Sequence, residues 1–98
     1  MIALVQYQMK EKEKRKHIFF SGMVQGVGFR YRACYGAQAL GLTGWVKNLW
    51  DGRVEMEVQG DEDSIGKLIE QLYTARFISI EKMESEELPA VSESSFRV

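Results

Sequence analysis

The sequence has little cysteine, proline or histidine, with one residue of each among its 98, and no long apolar run. Because Cys34 is the only cysteine, an intramolecular disulfide is excluded, and we expect a reducing, cytoplasmic setting. One cysteine and one histidine do not form a metal-ligand set. No segment reaches the ~20 apolar residues that span a bilayer, and the start lacks the basic region of a signal peptide. We therefore expect no membrane partner.

Excess charge of one sign is also missing. The formal net charge is -1, which argues against a general nucleic-acid-binding protein. Hydrophobic residues make up 45% of the chain and charged residues 28%, a balance typical of ordinary globular proteins. A chain of this length is expected to form one small domain with one modest core.

The order of predicted elements is β-α-β-β-α-β, with a possible short final strand. Alternating or continuous apolar residues predict strands, and apolar residues three and four apart predict helices. Asp51-Gly52 predicts a hairpin turn, and Asp61 or Asp63 is expected to cap the second helix. The predicted segments are strand 17–24, a helix from Phe29 ending near Gly41, strands 43–49 and 53–60, a helix with core positions Ile65, Leu68, Ile69 and Leu72, strand 77–83, an exposed connection 84–93 and strand 94–98.

The chain is predicted to divide into an N-terminal extension, residues 1–16, and a domain, residues 17–98. Within the extension, residues 10–16 read KEKEKRK, with five basic and two acidic side chains. This composition favours a solvated tail, and the alternative is an anion-binding patch.

The element order predicts an α+β fold of the ferredoxin-like split βαβ type, an antiparallel sheet with two helices on one face. Right-handed β-α-β crossovers make the first two strands parallel, so both end at the same edge of the sheet. The loop after the first strand and Asn48 at the end of the second are therefore expected to lie together.

That loop lies in the stretch SGMVQGVGFR, residues 21–30, which contains three glycines and ends on an arginine. Few side chains there would let backbone N–H groups converge on an anion at a helix N-terminus. Arg30 is poorly placed for helix stability, because a helix N-terminus favours acidic side chains, but a guanidinium there suits a phosphate. A tight turn with a surface arginine is the alternative, and the spacing matches neither the dinucleotide fingerprint nor the P-loop.

Two motifs resemble the signatures of the acylphosphatase family: GMVQGVGFR, residues 22–30, and GWVKN, residues 44–48, followed by Gly52, Val54 and Gly60. The resemblance covers roughly residues 17–98. It implies the fold above and hydrolysis of acyl phosphates to a carboxylate and phosphate, with no metal and no organic cofactor. It assigns phosphate binding to the loop and orientation of the attacking water to Asn48. The implied phosphate-binding residues are Gln25, Gly26, Val27, Gly28, Phe29 and Arg30, and the implied catalytic residues are Arg30 and Asn48.

The implied partners are a small acyl phosphate as substrate and inorganic phosphate as product or inhibitor. We expect no nucleic-acid partner and a monomer. A non-catalytic anion-binding or regulatory domain of the same fold is the alternative function. An RNA-binding module is disfavoured, because Glu55 and Glu57 would repel phosphates on the open face of the sheet.

Four other residues are expected to have structural roles. His17 precedes the loop by most of a strand. Cys34 lies one turn after Arg30, and no basic side chain is expected to pair with its thiol. Lys47 is expected to face away from Asn48, since neighbours on a strand point to opposite faces. Trp50 is expected to pack or to line the acyl side of the site.

Overall fold

The computed structural model describes residues 13–98, so residues 1–12 of the predicted extension lie outside the described residues. The element order is β-α-β-β-α-β with a short fifth strand, as predicted. The elements are β1 (Glu13–Met23), α1 (Phe29–Ala39), β2 (Thr43–Asn48), β3 (Val54–Asp61), α2 (Glu62–Thr74), β4 (Ser79–Leu88) and β5 (Phe96–Arg97).

The five strands form one sheet in the order β4-β1-β3-β2-β5. Strand β3 is antiparallel to both β1 and β2, so β1 and β2 run in the same direction and end at the same edge. Strand β5 pairs in parallel with β2 through Phe96 and Arg97. The ferredoxin-like fold predicted from the sequence is confirmed, and its topology brings the glycine loop and the end of β2 together.

The core lies between the helices and one face of the sheet. In β3, Val54, Met56 and Val58 are fully buried, whereas the alternating Glu55 and Glu57 lie on the other face. Burial of this apolar surface is the main stabilising contribution, at roughly 25 cal/mol per Å². The core residues are Ile18, Phe20, Val24, Phe29, Ala33, Ala37, Leu42, Val46, Val54, Met56, Val58, Ile65, Leu68, Leu72, Ile78 and Phe96.

Helix α2 follows the rules for a helix N-terminus. Asp61 caps it, accepting a hydrogen bond from the Ser64 backbone N–H at 3.4 Å, and Glu62 and Asp63 occupy its first turn. Carboxylates there satisfy free backbone donors and interact favourably with the helix dipole. The sequence predicted either Asp61 or Asp63 as the cap, and in the structure the cap is Asp61.

Two predicted boundaries at the β1–β4 edge are wrong. Strand β1 begins at Glu13, so the last four residues of KEKEKRK are strand and not solvated tail. Strand β4 continues to Leu88 and includes part of the acidic segment predicted as a connection. The two extensions meet at their ends, where Arg15 lies opposite Leu88 and Lys16 opposite Glu87. An edge strand tolerates acidic side chains, because one of its sides remains in water.

In the part of the chain that the structure describes, no helix has the length and hydrophobicity to cross a membrane.

Candidate active site

The glycine loop joins β1 to α1 by a left-handed turn of the backbone. Gly26 has φ 73° and Gly28 has φ 81°, values that side-chain-bearing residues rarely adopt. No heavy atom lies within 4 Å of a Cβ built at either position, so the backbone conformation, and not crowding, requires glycine. Gly28 is the N-cap of α1, and its carbonyl accepts the first helical hydrogen bond from Arg32 at 3.0 Å.

The N-terminus of α1 is the opposite of that of α2. It has no side-chain cap and no acidic residue in its first turn, where Arg30 and Arg32 lie instead. The unsatisfied N–H groups of this turn and the partial positive charge of the helix remain available to an anion. An arginine beside them adds a full positive charge, which raises the attraction for a phosphate.

Arg30 is exposed and, among residues 13–98, forms no ion pair with any carboxylate. Phe29, the residue before it, is buried and packs on Phe20, with ring centroids 4.9 Å apart. This anchor holds the start of α1 against the sheet. The backbone that carries the Arg30 guanidinium is thus held in place, and no carboxylate among residues 13–98 pairs with its charge.

Asn48, the last residue of β2, opens onto the same cleft as Arg30. The cleft has a volume of about 290 Å³. Its lining residues are Val24, Gly26, Gly28, Phe29, Arg30, Tyr31, Asn48 and Val98. The structure therefore brings together Arg30, Asn48 and three of the predicted loop residues. The roles assigned to them in catalysis and phosphate binding stay predictions.

Two predicted loop residues do not line the cleft. Val27 is half-buried and packs against the hydrophobic core. Gln25 directs its side-chain amide to the hairpin after β2, where it donates to the carbonyls of Leu49 at 2.7 Å and Arg53 at 2.9 Å. Any contact of these two residues with an anion would be through their backbone N–H groups. The direction of the Gln25 side chain had no signal in the local sequence.

The outer rim of the cleft differs from the expectation. Trp50 is 97% exposed and is not among the lining residues, so it neither packs nor lines the acyl side, the two roles expected of it. Tyr31 and Val98 line the cleft instead, and both are exposed. Tyr31 donates a hydrogen bond to Tyr35 at 3.1 Å, and this bond raises the pKa of Tyr31. A tyrosine one residue after the predicted phosphate-binding arginine is the signal that sequence reasoning passed over.

The remaining candidates lie away from the cleft, as predicted. His17 is on the open face of the sheet, with its Nε2 2.7 Å from a Glu55 carboxylate oxygen. Lys47 is exposed and pairs with Glu55 at 3.7 Å. Cys34 is a half-buried free thiol whose Sγ lies 3.4 Å from the Gln38 side-chain amide. Within residues 13–98, no group of three or more metal-binding side chains is present.

Comparison with known proteins identifies the family of this chain. The acylphosphatase family model matches residues 16–98. An acylphosphatase from Bifidobacterium longum is 43% identical over 82 residues, covering 83% of this chain and 84% of that protein. The solved structure of an acylphosphatase from Coxiella burnetii superposes with a TM-score of 0.83 at 40% identity, covering 92% of this chain and 96% of that one. An acylphosphatase structure from Bacillus subtilis gives a TM-score of 0.81 at 32% identity, covering 87% and 97%. The chain belongs to the acylphosphatase family.

Proposed function

We propose that the cleft binds the phosphoryl group of an acyl phosphate and that hydrolysis requires no metal ion. Membership of the family supports acyl phosphate hydrolysis. The observation that carries the site is the meeting, in one cleft, of an uncapped helix N-terminus, Arg30 and Asn48. The first two supply positive potential for the phosphoryl oxygens, and the third supplies a neutral side chain that binds water.

The reaction requires no covalent bond between the substrate and the protein. A water oxygen attacks phosphorus, the bond from phosphorus to the acyl oxygen breaks, and the carboxylate leaves with that electron pair. A carboxylate is a good leaving group, so catalysis consists of positioning and charge stabilisation. Loop N–H groups and Arg30 would hold the phosphoryl oxygens, whose charge develops in the transition state.

Asn48 has the hydrogen-bonding groups to orient the attacking water. Its carboxamide oxygen accepts from the water, and its nitrogen donates. An amide is too weak a base to take the proton, so we assign the proton to a phosphoryl oxygen of the substrate. The products are then a carboxylate and singly protonated or doubly protonated phosphate, according to pH.

Three finer features belong to the same proposal. Inorganic phosphate would compete with substrate, since it offers the same oxygens to the loop. The protein would act as a monomer, which the acidic edge strand β4 supports, because its carboxylates disfavour pairing of one edge with another. It would act in the cytoplasm, in keeping with its one unpaired thiol, Cys34.

Hydrolysis of benzoyl phosphate in the presence of EDTA tests the mechanism. We expect full turnover in the chelator and much slower hydrolysis of alkyl phosphate monoesters, whose leaving groups are poorer. Activity lost in EDTA and restored by a divalent ion would contradict a metal-independent mechanism. Equal rates on acyl and alkyl phosphates would contradict the assigned substrate class.

Titration with inorganic phosphate tests the binding site separately. Backbone amide shifts measured by NMR are expected to concentrate at residues 25–30 and around Asn48. Shifts confined to the basic run, residues 10–16, would move the anion site away from the cleft.

A further inference from the structure

We propose that Gln25 is a positioning residue, which ties the glycine loop to the hairpin that follows Asn48 and so sets where the attacking water lies relative to the bound phosphoryl group. This inference rests on the proposed function of the cleft. Gln25 itself does not line the cleft, so its effect on the reaction would be exerted through Asn48.

The contacts of Gln25 join two segments that are distant in sequence. Its Nε2 donates to the Leu49 carbonyl at 2.7 Å and to the Arg53 carbonyl at 2.9 Å. Both partners are acceptors, so the NH₂ end of the side chain must face them and its two hydrogens are both used. Leu49 directly follows Asn48, so the link attaches within one residue of the proposed water-binding side chain.

The hairpin turn to which Gln25 binds is already closed by its own hydrogen bonds. The Leu49 N–H donates to the Arg53 carbonyl at 2.8 Å. The Asp51 carboxylate accepts from the Arg53 N–H at 3.2 Å and from its Nε at 2.8 Å, and the Arg53 backbone bond contributes most to lowering the pKa of Asp51. Gln25 is therefore not needed to shape the turn. Its bonds fix the closed turn, as a unit, against the glycine loop.

This arrangement separates two functions that share the cleft. The phosphoryl group is bound on the loop side, by the start of α1 and Arg30. The water is oriented on the hairpin side, by Asn48. Strands β1 and β2 are not neighbours, since β3 lies between them. No backbone ladder therefore holds the loop to the end of β2, and the Gln25 side chain bridges that gap.

The physical consequence is a loss of alignment when the link is removed. Misplacement of a reacting group by about 1 Å can cost on the order of 100-fold in rate. Phosphate affinity depends on the loop and Arg30, which the hairpin does not carry. Loss of the Gln25 bonds should therefore lower kcat much more than it weakens phosphate binding.

The first experiment compares Gln25→Met, which keeps the length of the side chain and removes its donors, with Gln38→Met. Gln38 is an exposed glutamine of α1 outside the cleft. For Gln25→Met we expect kcat on benzoyl phosphate to fall roughly 10- to 100-fold while the phosphate Kd changes by less than about three-fold. Gln38→Met should match the parent in both. Unchanged kcat in Gln25→Met, or a Kd that rises as much as kcat falls, would overturn the proposal.

A double-mutant cycle distinguishes positioning from general destabilisation. If Gln25 acts by placing Asn48, then Gln25→Met should reduce kcat by less than about three-fold in an Asn48→Ala background. A full additive loss in the double mutant would overturn the proposal. Gln25→Glu, which has acceptors only, serves as the second variant if Gln25→Met does not fold, and the same cycle applies. A parent protein that does not hydrolyse benzoyl phosphate would instead reject the proposed function itself.

Discussion

Two arginines of this protein show how the same side chain serves different purposes in different surroundings. Arg15, on the open face of the sheet, is only 4% exposed. Its guanidinium donates to Glu57 at 2.8 Å, to Glu93 at 2.8 Å and to Gln59 at 3.1 Å. Arg30, at the cleft, is exposed and has no carboxylate partner among the described residues 13–98. The first arginine is saturated by protein groups, and the second retains its charge for a ligand.

The Arg15 cluster, defined as Arg15, Glu57, Gln59 and Glu93, attaches the C-terminal segment to the sheet. Gln59 completes it, since its amide donates to the Val91 carbonyl at 2.7 Å and its oxygen accepts from the Val91 N–H at 2.9 Å. Burial alone would lower the pKa of Arg15, but the hydrogen bonds and charges of Glu93 and Glu57 outweigh it and raise the pKa. Such a cluster contributes to stability, whereas an uncompensated arginine at a helix N-terminus does not.

The largest expected effect is at Arg30. In Arg30→Ala we expect phosphate binding and catalysis to be lost together, with kcat/KM falling at least about 10³-fold, because the guanidinium contacts the anion in both ground and transition states. The free energy of unfolding should change by less than about 0.5 kcal/mol, since the side chain is exposed. Benzoyl phosphate kinetics and urea unfolding measure the two quantities. The control is Arg32→Ala, whose activity should equal that of the parent. If Arg30→Ala lost stability but kept its activity, Arg30 would have the structural role that we assign to Arg15.

Asn48→Ala should have the next largest effect, and it should separate catalysis from phosphate binding. Its proposed partner is the water, so kcat is expected to fall about 10²–10³-fold while phosphate Kd stays near the parent value. Lys47→Ala, at the neighbouring exposed position, is the matched control. If Asn48→Ala weakens phosphate binding as much as Arg30→Ala and bound substrate still turns over normally, Asn48 is an anion ligand and does not orient water.

Arg15→Met tests the other half of the comparison. Removing Arg15 takes from Glu57 its ion-pair partner among residues 13–98 and leaves Glu93 only its pair with Arg97 at 3.7 Å. Breaking a buried ion pair in this way typically costs about 3–5 kcal/mol. We expect a lower free energy of unfolding by urea and, under conditions where the variant is folded, an unchanged kcat. Lys14→Ala, which removes an exposed pair with Glu87 at 3.6 Å, should cost less than about 1 kcal/mol. An Arg15→Met protein of parental stability would show that the cluster does not hold the fold.

The smallest expected effect is on how the free energy of unfolding depends on pH, and it comes from Glu93 in the Arg15 cluster. Burial alone would raise the pKa of Glu93, but hydrogen bonds and charge, chiefly from Arg15, lower it below its ordinary value of 4.5. A carboxyl with a depressed pKa stabilises the fold above the unfolded-state pKa, and this contribution is lost as pH falls below 4.5 toward the folded-state pKa. As pH falls across that window, the free energy of unfolding by urea should decrease more steeply for the parent than for Glu93→Gln. Parallel curves would show that Glu93 is not the group responsible.

Local sequence patterns were sufficient to predict most of the strands, helices and turns, because these depend mainly on residues close together in the chain. Alternation in β3 and helical spacing in α2 predicted which residues face the core, and Asp51-Gly52 predicted the hairpin. The same patterns predicted that the glycine loop and Asn48 share an edge, since the element order leaves few allowed topologies. The approach of Arg30 and Asn48 followed from that topology without any knowledge of side-chain contacts.

The predicted boundaries of β1 and β4 were wrong, because pairing with distant segments made strands of residues whose composition predicted exposed chain. Residues 13–16 and 84–88 are too charged to predict strands by themselves. Residues 13–16 become a strand because they pair with residues 58–61 of β3, and residues 84–88 become a strand because they pair with residues 15–19 of β1. Arg15 also binds Glu57 on β3 and Glu93 near the C-terminus. A charged residue is buried only when its partners are present, and here they lie 42 and 78 residues away.

The sequence by itself determined the elements, the topology and the presence of a glycine loop with an arginine at a helix start, because each depends on residues near one another in the chain. The tertiary structure alone decided which arginine is buried, which aromatic residue lines the cleft and where Gln25 points. These depend on contacts between segments brought together only by folding, and no local pattern predicts that Arg15, in a run of charged residues, is buried. The difference between them lies in the number of carboxylates that the folded sheet places within reach.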